Sequence, residues 1–190
     1  MTALTPANQL TLLRMLLIPA FVILVVYGYL GWALAVFVTA GVTDALDGLI
    51  ARRSGQKTTL GAWLDPMADK LLLVTTFVVL TIPGLGLANR LPIWLTVLII
   101  SRDVVIVLTV AIINLAIGRR TFRPSIFGKI ATATYILTAV VAMLFNYLGY
   151  HSILVDVGIW SSLGITLVSS LHYIWHAARL VESPQGTGGV

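Results

Sequence analysis

Residues 44–69 read DALDGLIARRSGQKTTLGAWLDPMAD. Four carboxylates, Asp44, Asp47, Asp65 and Asp69, fall in this stretch, out of only seven acidic residues in the chain. The flanks are apolar: GWALAVFVTAGV precedes it at 31–42 and LLLVTTFVVLTI follows at 71–82. Two long apolar runs joined by a short polar turn read as a helical hairpin that crosses a bilayer, with the acidic residues at its closed end. A carboxylate beside hydrocarbon is costly, so a cluster there marks function before it marks structure.

The rest of the chain agrees with a membrane setting. Its 190 residues are 58% hydrophobic and 10% charged, against roughly 25% charged in soluble domains. Six apolar runs are long enough to span, at about 10–29, 32–52, 60–82, 91–117, 125–148 and 153–179. Turn residues separate them, for example Ser54-Gly55-Gln56-Lys57, Pro83-Gly84-Leu85-Gly86 and the segment from Gly118 to Pro124. The expectation is one all-α integral membrane bundle of six transmembrane helices over residues 1–182, with a disordered Gly-rich tail at 183–190. The first run carries Arg14 and has no small-residue cleavage site, so it reads as a retained span rather than a signal peptide.

Net charge is +5. Arg52, Arg53 and Lys57 lie in one turn, and Arg119, Arg120, Arg123 and Lys129 in or beside another. Arg90 stands alone on the opposite side. Basic loops face the cytoplasm, so both termini and the aspartates are expected on the cytoplasmic side of the inner membrane. The cations sit at span ends rather than in one tract, which argues against a nucleic-acid partner. No cysteine is present, so a metal would be held by oxygen or imidazole.

Helical register shapes the cluster. Asp44, Asp47 and Ala51 share one face at i, i+3, i+7, and Gly61, Asp65 and Asp69 share another at i, i+4, i+8. Four carboxylates meeting at one hairpin end repel one another unless cations intervene. All-oxygen ligation suits Mg²⁺ or Mn²⁺. Two such ions clamp a phosphate anhydride. Gly48 and Gly61 let a ligand approach the backbone closely, and Arg52 offers a guanidinium fork for phosphate. The set describes a pyrophosphate site.

The pattern D-x2-D-G-x2-A-R-x8-G-x3-D-x3-D resembles the signature of the CDP-alcohol phosphatidyltransferase family at every fixed position. Asn8-Gln9-Leu10-Thr11-Leu12-Leu13-Arg14 is similar to the family's N-x2-T-x2-R segment. The resemblance implies six transmembrane helices in a homodimer and two Mg²⁺ or Mn²⁺ ions bound by Asp44, Asp47, Asp65 and Asp69. It implies Asp69 as general base, and a cytidine diphosphate pocket at Gly48, Ala51, Arg52, Thr58 and Gly61, joined by Asn8 and Thr11. Members displace CMP from a CDP-linked lipid with an alcohol. Here CDP-diacylglycerol is the expected donor and glycerol 3-phosphate the first choice of acceptor. Ser101-Arg102-Asp103 and the stretch from Arg123 to Lys129 look closer to cardiolipin synthases, which use phosphatidylglycerol. An inositol-phosphate acceptor ranks third.

The acceptor-binding candidates are Arg102, Arg123, Ser125 and Lys129, a basic set suited to a phosphorylated alcohol. The plainer readings are an interhelical polar contact for Arg102 and positive-inside topology for the rim. His172 and His176 are spaced i, i+4 but have no carboxylate nearby in sequence, so interfacial packing is the reading. Trp63, Trp94, Trp160 and Trp175 read as interface anchors. Pro66 marks either a kink or a late start of the third helix. A cation transporter would spread its acids over several helices at mid-membrane, and a prenyl-diphosphate enzyme would show D-D-x2-D runs. Neither pattern is present.

Overall fold

A computed structural model describes residues 6–54, 59–117 and 126–182. The described residues form helices joined by short connections, in the order α1 Pro6–Val26, α2 Leu30–Ser54, α3 Thr59–Thr81, α4 Ile93–Ile117, α5 Ile126–Leu148 and α6 Ile153–Glu182. The expected all-α architecture of six helices is what is observed. On length and composition α1, α5 and α6 contain stretches able to cross a membrane, at Gln9–Val26, Ile126–Leu148 and Ile153–Trp175. In α2 and α3 the apolar stretches are Leu30–Thr43 and Lys70–Thr81.

Short reversals make the bundle run up and down. After α1 the chain turns on Gly28, at φ +79°. Its N–H bonds to the Val25 carbonyl at 3.0 Å, and the Tyr29 N–H reaches back to Leu24 at 2.8 Å. These paired bonds are a Schellman cap, which needs a left-handed residue that glycine supplies without strain. The turn returns α2 alongside α1 and carries residues 44–54 to the end where α1 begins. Gly149, at φ +78°, ends α5 with its own N–H on the Phe145 and Asn146 carbonyls, at 3.0 and 3.2 Å.

Packing follows residue size. Phe21 and Val25 of α1, Phe37 of α2, Phe77 and Leu80 of α3 and Leu95 of α4 are buried together. On α5 the inward positions include Ala131, Ala139 and Ala142, all fully buried. Small side chains let helices approach where lipid provides no hydrophobic drive. Gly158 of α6 shows the tolerance: a Cβ there would lie 2.9 Å from Thr138 Oγ1 of α5. Hydroxyls stitch the same seam, with Tyr135 Oη and Thr166 Oγ1 at 2.6 Å and Thr138 Oγ1 and Ser162 Oγ at 3.1 Å.

The end away from the aspartates is locked by Asn89, in the α3–α4 connection. Its N–H donates to Asn146 Oδ1 at 2.6 Å, its Nδ2 donates to the Tyr150 carbonyl at 2.9 Å, and its Oδ1 accepts from the Ser152 N–H at 2.9 Å. One buried amide thereby joins the α3–α4 and α5–α6 connections. Asn89→Ala leaves the buried Ser152 N–H without that partner, and stability should fall by about 1–3 kcal/mol. Thermal unfolding in detergent reads this as a lowered Tm, while KM values of the folded enzyme stay unchanged. Exposed Tyr27, Tyr29, Trp32, Trp94 and Trp160 ring the same end. The last two pack against each other with ring centroids 6.0 Å apart and planes tilted by 41°. Amphipathic rings at this level suit a membrane–water interface.

Candidate active site

The helices deliver the motif positions to one end of the bundle. Asp44, Asp47, Gly48, Ala51 and Arg52 lie in the last half of α2, and Gly61, Asp65 and Asp69 in the first half of α3. Helix α3 is continuous from Thr59. It therefore runs across Pro66, and the late-start reading of that proline is withdrawn. Asn8 and Thr11 lie in α1, and Thr11 is fully buried. The side chains of the four aspartates, and of Asn8, Gly48, Ala51, Arg52 and Gly61, fall outside the described residues, as do Thr58, Arg123 and Ser125.

A cavity of about 580 Å³ opens beside these positions. Gly41 and Val42 of α2 line it, two residues short of Asp44, and so does Lys70 of α3, the residue after Asp69. The ends of α2 and α3 that carry the aspartates thus adjoin a common space. Phe37, Val38, Leu72, Leu73, Ile136 and Val140 make most of its wall apolar. Among the described residues its charged lining is Arg14 from α1, Lys70 from α3 and Asp103 from α4, with Thr132 and Tyr135 adding hydroxyls from α5. Arg14 is 1% exposed. An apolar wall with cations at one end suits an amphiphile with an anionic head.

Arg102, an acceptor candidate, is engaged inside the bundle. Its Nη1 donates to Asp103 Oδ1 at 2.7 Å and its Nη2 to Ser169 Oγ of α6 at 2.7 Å. The polar interhelical contact weighed for it is therefore present. Lys129, in the first turn of α5, is exposed. His172 packs its ring against Phe127 at 4.8 Å and Trp175 at 6.3 Å, in keeping with interfacial packing. The sequence reading passed over Lys70, whose Nζ lies 2.6 Å from Asp103 Oδ2. Its available signal was a charge opening an apolar half-helix, directly after a motif aspartate.

The donor chemistry of the string fits divalent ions. It is all carboxylate, and the two helices that bear it flank one cavity. Among the described residues no group of three His, Asp or Glu is placed to hold a metal.

Comparisons with known proteins point the same way. The family model described as CDP-alcohol phosphatidyltransferase matches residues 4–169. A probable phosphatidylglycerophosphate synthase of Mycobacterium tuberculosis is 32% identical over 181 residues, covering 91% of this chain and 81% of that protein. A cardiolipin synthase (CMP-forming) of Streptomyces coelicolor is 32% identical over 193 residues, covering 95% and 86%. The human cardiolipin synthase (CMP-forming) is 31% identical over 92% of this chain and 62% of its own length. With the full eight-position signature on two helices beside one cavity, and a match over most of its length, the chain belongs to the CDP-alcohol phosphatidyltransferase family, transferases of phospholipid synthesis.

Proposed function

We propose that this enzyme moves a phosphatidyl group from CDP-diacylglycerol to glycerol 3-phosphate, releasing CMP. The observation that carries the reading is the cavity beside the aspartate-bearing helix ends, with an apolar wall and a charged lining of Arg14, Lys70 and Asp103 among the described residues. A diacylglycerol body fits the wall, and a phosphate head fits the charged end.

In this reading Asp44, Asp47, Asp65 and Asp69 hold two divalent ions, Mg²⁺ or Mn²⁺. When bound, these ions neutralise the pyrophosphate and the departing CMP. Gly48, Ala51, Arg52, Thr58 and Gly61, with Asn8 and Thr11, surround the cytidine diphosphate. The acceptor hydroxyl attacks the β-phosphorus, the bond from that phosphorus to the bridging oxygen breaks, and CMP leaves with the electron pair. Asp69 takes the hydroxyl proton. Arg123, Ser125 and Lys129 dock the acceptor phosphate, and Arg102 supports that side of the site. The basic turns favour a site and both termini at the cytoplasmic face, where CMP is released into water and the product stays in the bilayer. A second copy of the chain completes a homodimer.

One observation favours a second reading. The mostly apolar lining also suits a lipid acceptor, phosphatidylglycerol, which would make cardiolipin. Relatives named for each activity match at nearly equal identity, 32% for both bacterial proteins. Purified enzyme given CDP-diacylglycerol with each acceptor in turn decides between them when the lipid products are weighed by mass spectrometry. Phosphatidylglycerophosphate is the expected product, and cardiolipin alone would reverse the order.

Lys129→Ala tests the docking rim. Loss of one charge-assisted contact costs about 1.5–3 kcal/mol, so the acceptor KM should rise about 10–150-fold. The KM for CDP-diacylglycerol should move far less. Equal changes in both constants would return Lys129 to a topological role.

A further inference from the structure

The charged lining of the cavity has an internal order. Asp103 divides its two oxygens between two cations: Oδ2 holds Lys70 Nζ at 2.6 Å and Oδ1 accepts from Arg102 Nη1 at 2.7 Å. Arg102 is fastened in turn to Ser169 of α6 at 2.7 Å. Side-chain exposure rises along the series, from 9% at Arg102 through 17% at Asp103 to 51% at Lys70. The buried end is anchored across α4 and α6. The open end brings an ammonium to the cavity from α3, one residue beyond Asp69.

We propose that Lys70 binds the phosphate of the lipid donor and that Asp103 is its positioning residue, fixed from behind by Arg102 and Ser169. The proposal rests on the donor named above. A lysine ammonium has three donors. One directed at Asp103 leaves others for phosphate oxygens. A free lysine loses rotamer freedom on binding, and a residue that already restrains it lowers that cost. A helix–helix tie alone would be served as well by a neutral contact away from the cavity. Here the tie ends in a half-exposed cation on the cavity wall.

Steady-state constants for Lys70→Met, Asp103→Asn and the double variant test the arrangement. Lys70→Met should raise the KM for CDP-diacylglycerol about tenfold, the loss of one contact to a charged group, with the acceptor KM near wild type. Asp103→Asn should raise the donor KM by a smaller factor, and Asp103→Glu should recover part of that loss. The double variant should be no worse than Lys70→Met in donor KM. Equal rises for both substrates, or a double variant whose donor KM multiplies the single effects, would overturn the proposal.

A measurement on the unaltered enzyme covers the case in which Asp103→Asn fails to fold. CDP-diacylglycerol without acceptor should shield Lys70 from amine acylation, read by mass spectrometry of its peptide, and diacylglycerol should not. An enzyme that releases CMP while Lys70 stays unshielded overturns this proposal and leaves the function standing. An enzyme that shields Lys70 and releases no CMP with any acceptor keeps the phosphate site and overturns the function.

Discussion

Asp69→Asn should lower the rate of CMP release by about 10²–10⁴-fold, the usual loss when a general base is removed. Asparagine keeps the size of the side chain and removes its capacity to accept a proton. The effect should fall on kcat, with part of the CDP-diacylglycerol affinity surviving, because proton transfer belongs to the transition state. Rapid-quench measurement of CMP formation, alongside equilibrium binding of the donor, separates the two quantities. Near wild-type turnover would remove the assignment. Loss of binding equal to the loss of rate would give Asp69 a ligand-holding role instead.

Excess chelator should reduce turnover to the level of the uncatalysed control, and added Mg²⁺ or Mn²⁺ should restore it. Four carboxylates within 26 residues of an apolar hairpin repel one another without cations. No thiolate is available, because the chain has no cysteine. Restoration should therefore follow hard, oxygen-loving ions. Full activity in rigorously metal-free buffer would contradict the two-ion reading.

The fold was readable where hydropathy is continuous. The expected second, third, fourth and sixth spans, 32–52, 60–82, 91–117 and 153–179, meet helices at Leu30–Ser54, Thr59–Thr81, Ile93–Ile117 and Ile153–Glu182. Two of these eight bounds coincide and the others differ by one to three residues: both ends of α2, the start of α3 and the end of α6 reach past the expected span, while α3 ends one residue and α4 starts two residues inside it. Pro66 shows the limit of local rules: the helix begins before it, at Thr59. The aspartate string was readable because its spacing is local, set by residues three or four apart on a helix.

Contacts between distant residues were not readable in the same way. Asn89 gains its partners at Asn146 and Ser152, 57 and 63 residues away, and nothing near it in sequence distinguishes it from any polar turn residue. Lys70 and Asp103 meet only because α3 packs against α4. The cavity itself is a product of five helices, and its apolar wall comes from residues that read one at a time as ordinary span interior.

In the proposed function the paired aspartate helices catalyse acceptor-dependent transfer from a CDP-linked lipid. The most direct measurement is CMP release from CDP-diacylglycerol in detergent micelles, with and without glycerol 3-phosphate or phosphatidylglycerol. CMP should appear in equal amount to a new phospholipid, only when an acceptor is present. CMP release that ignores the acceptor, or none with any alcohol tried, would contradict it.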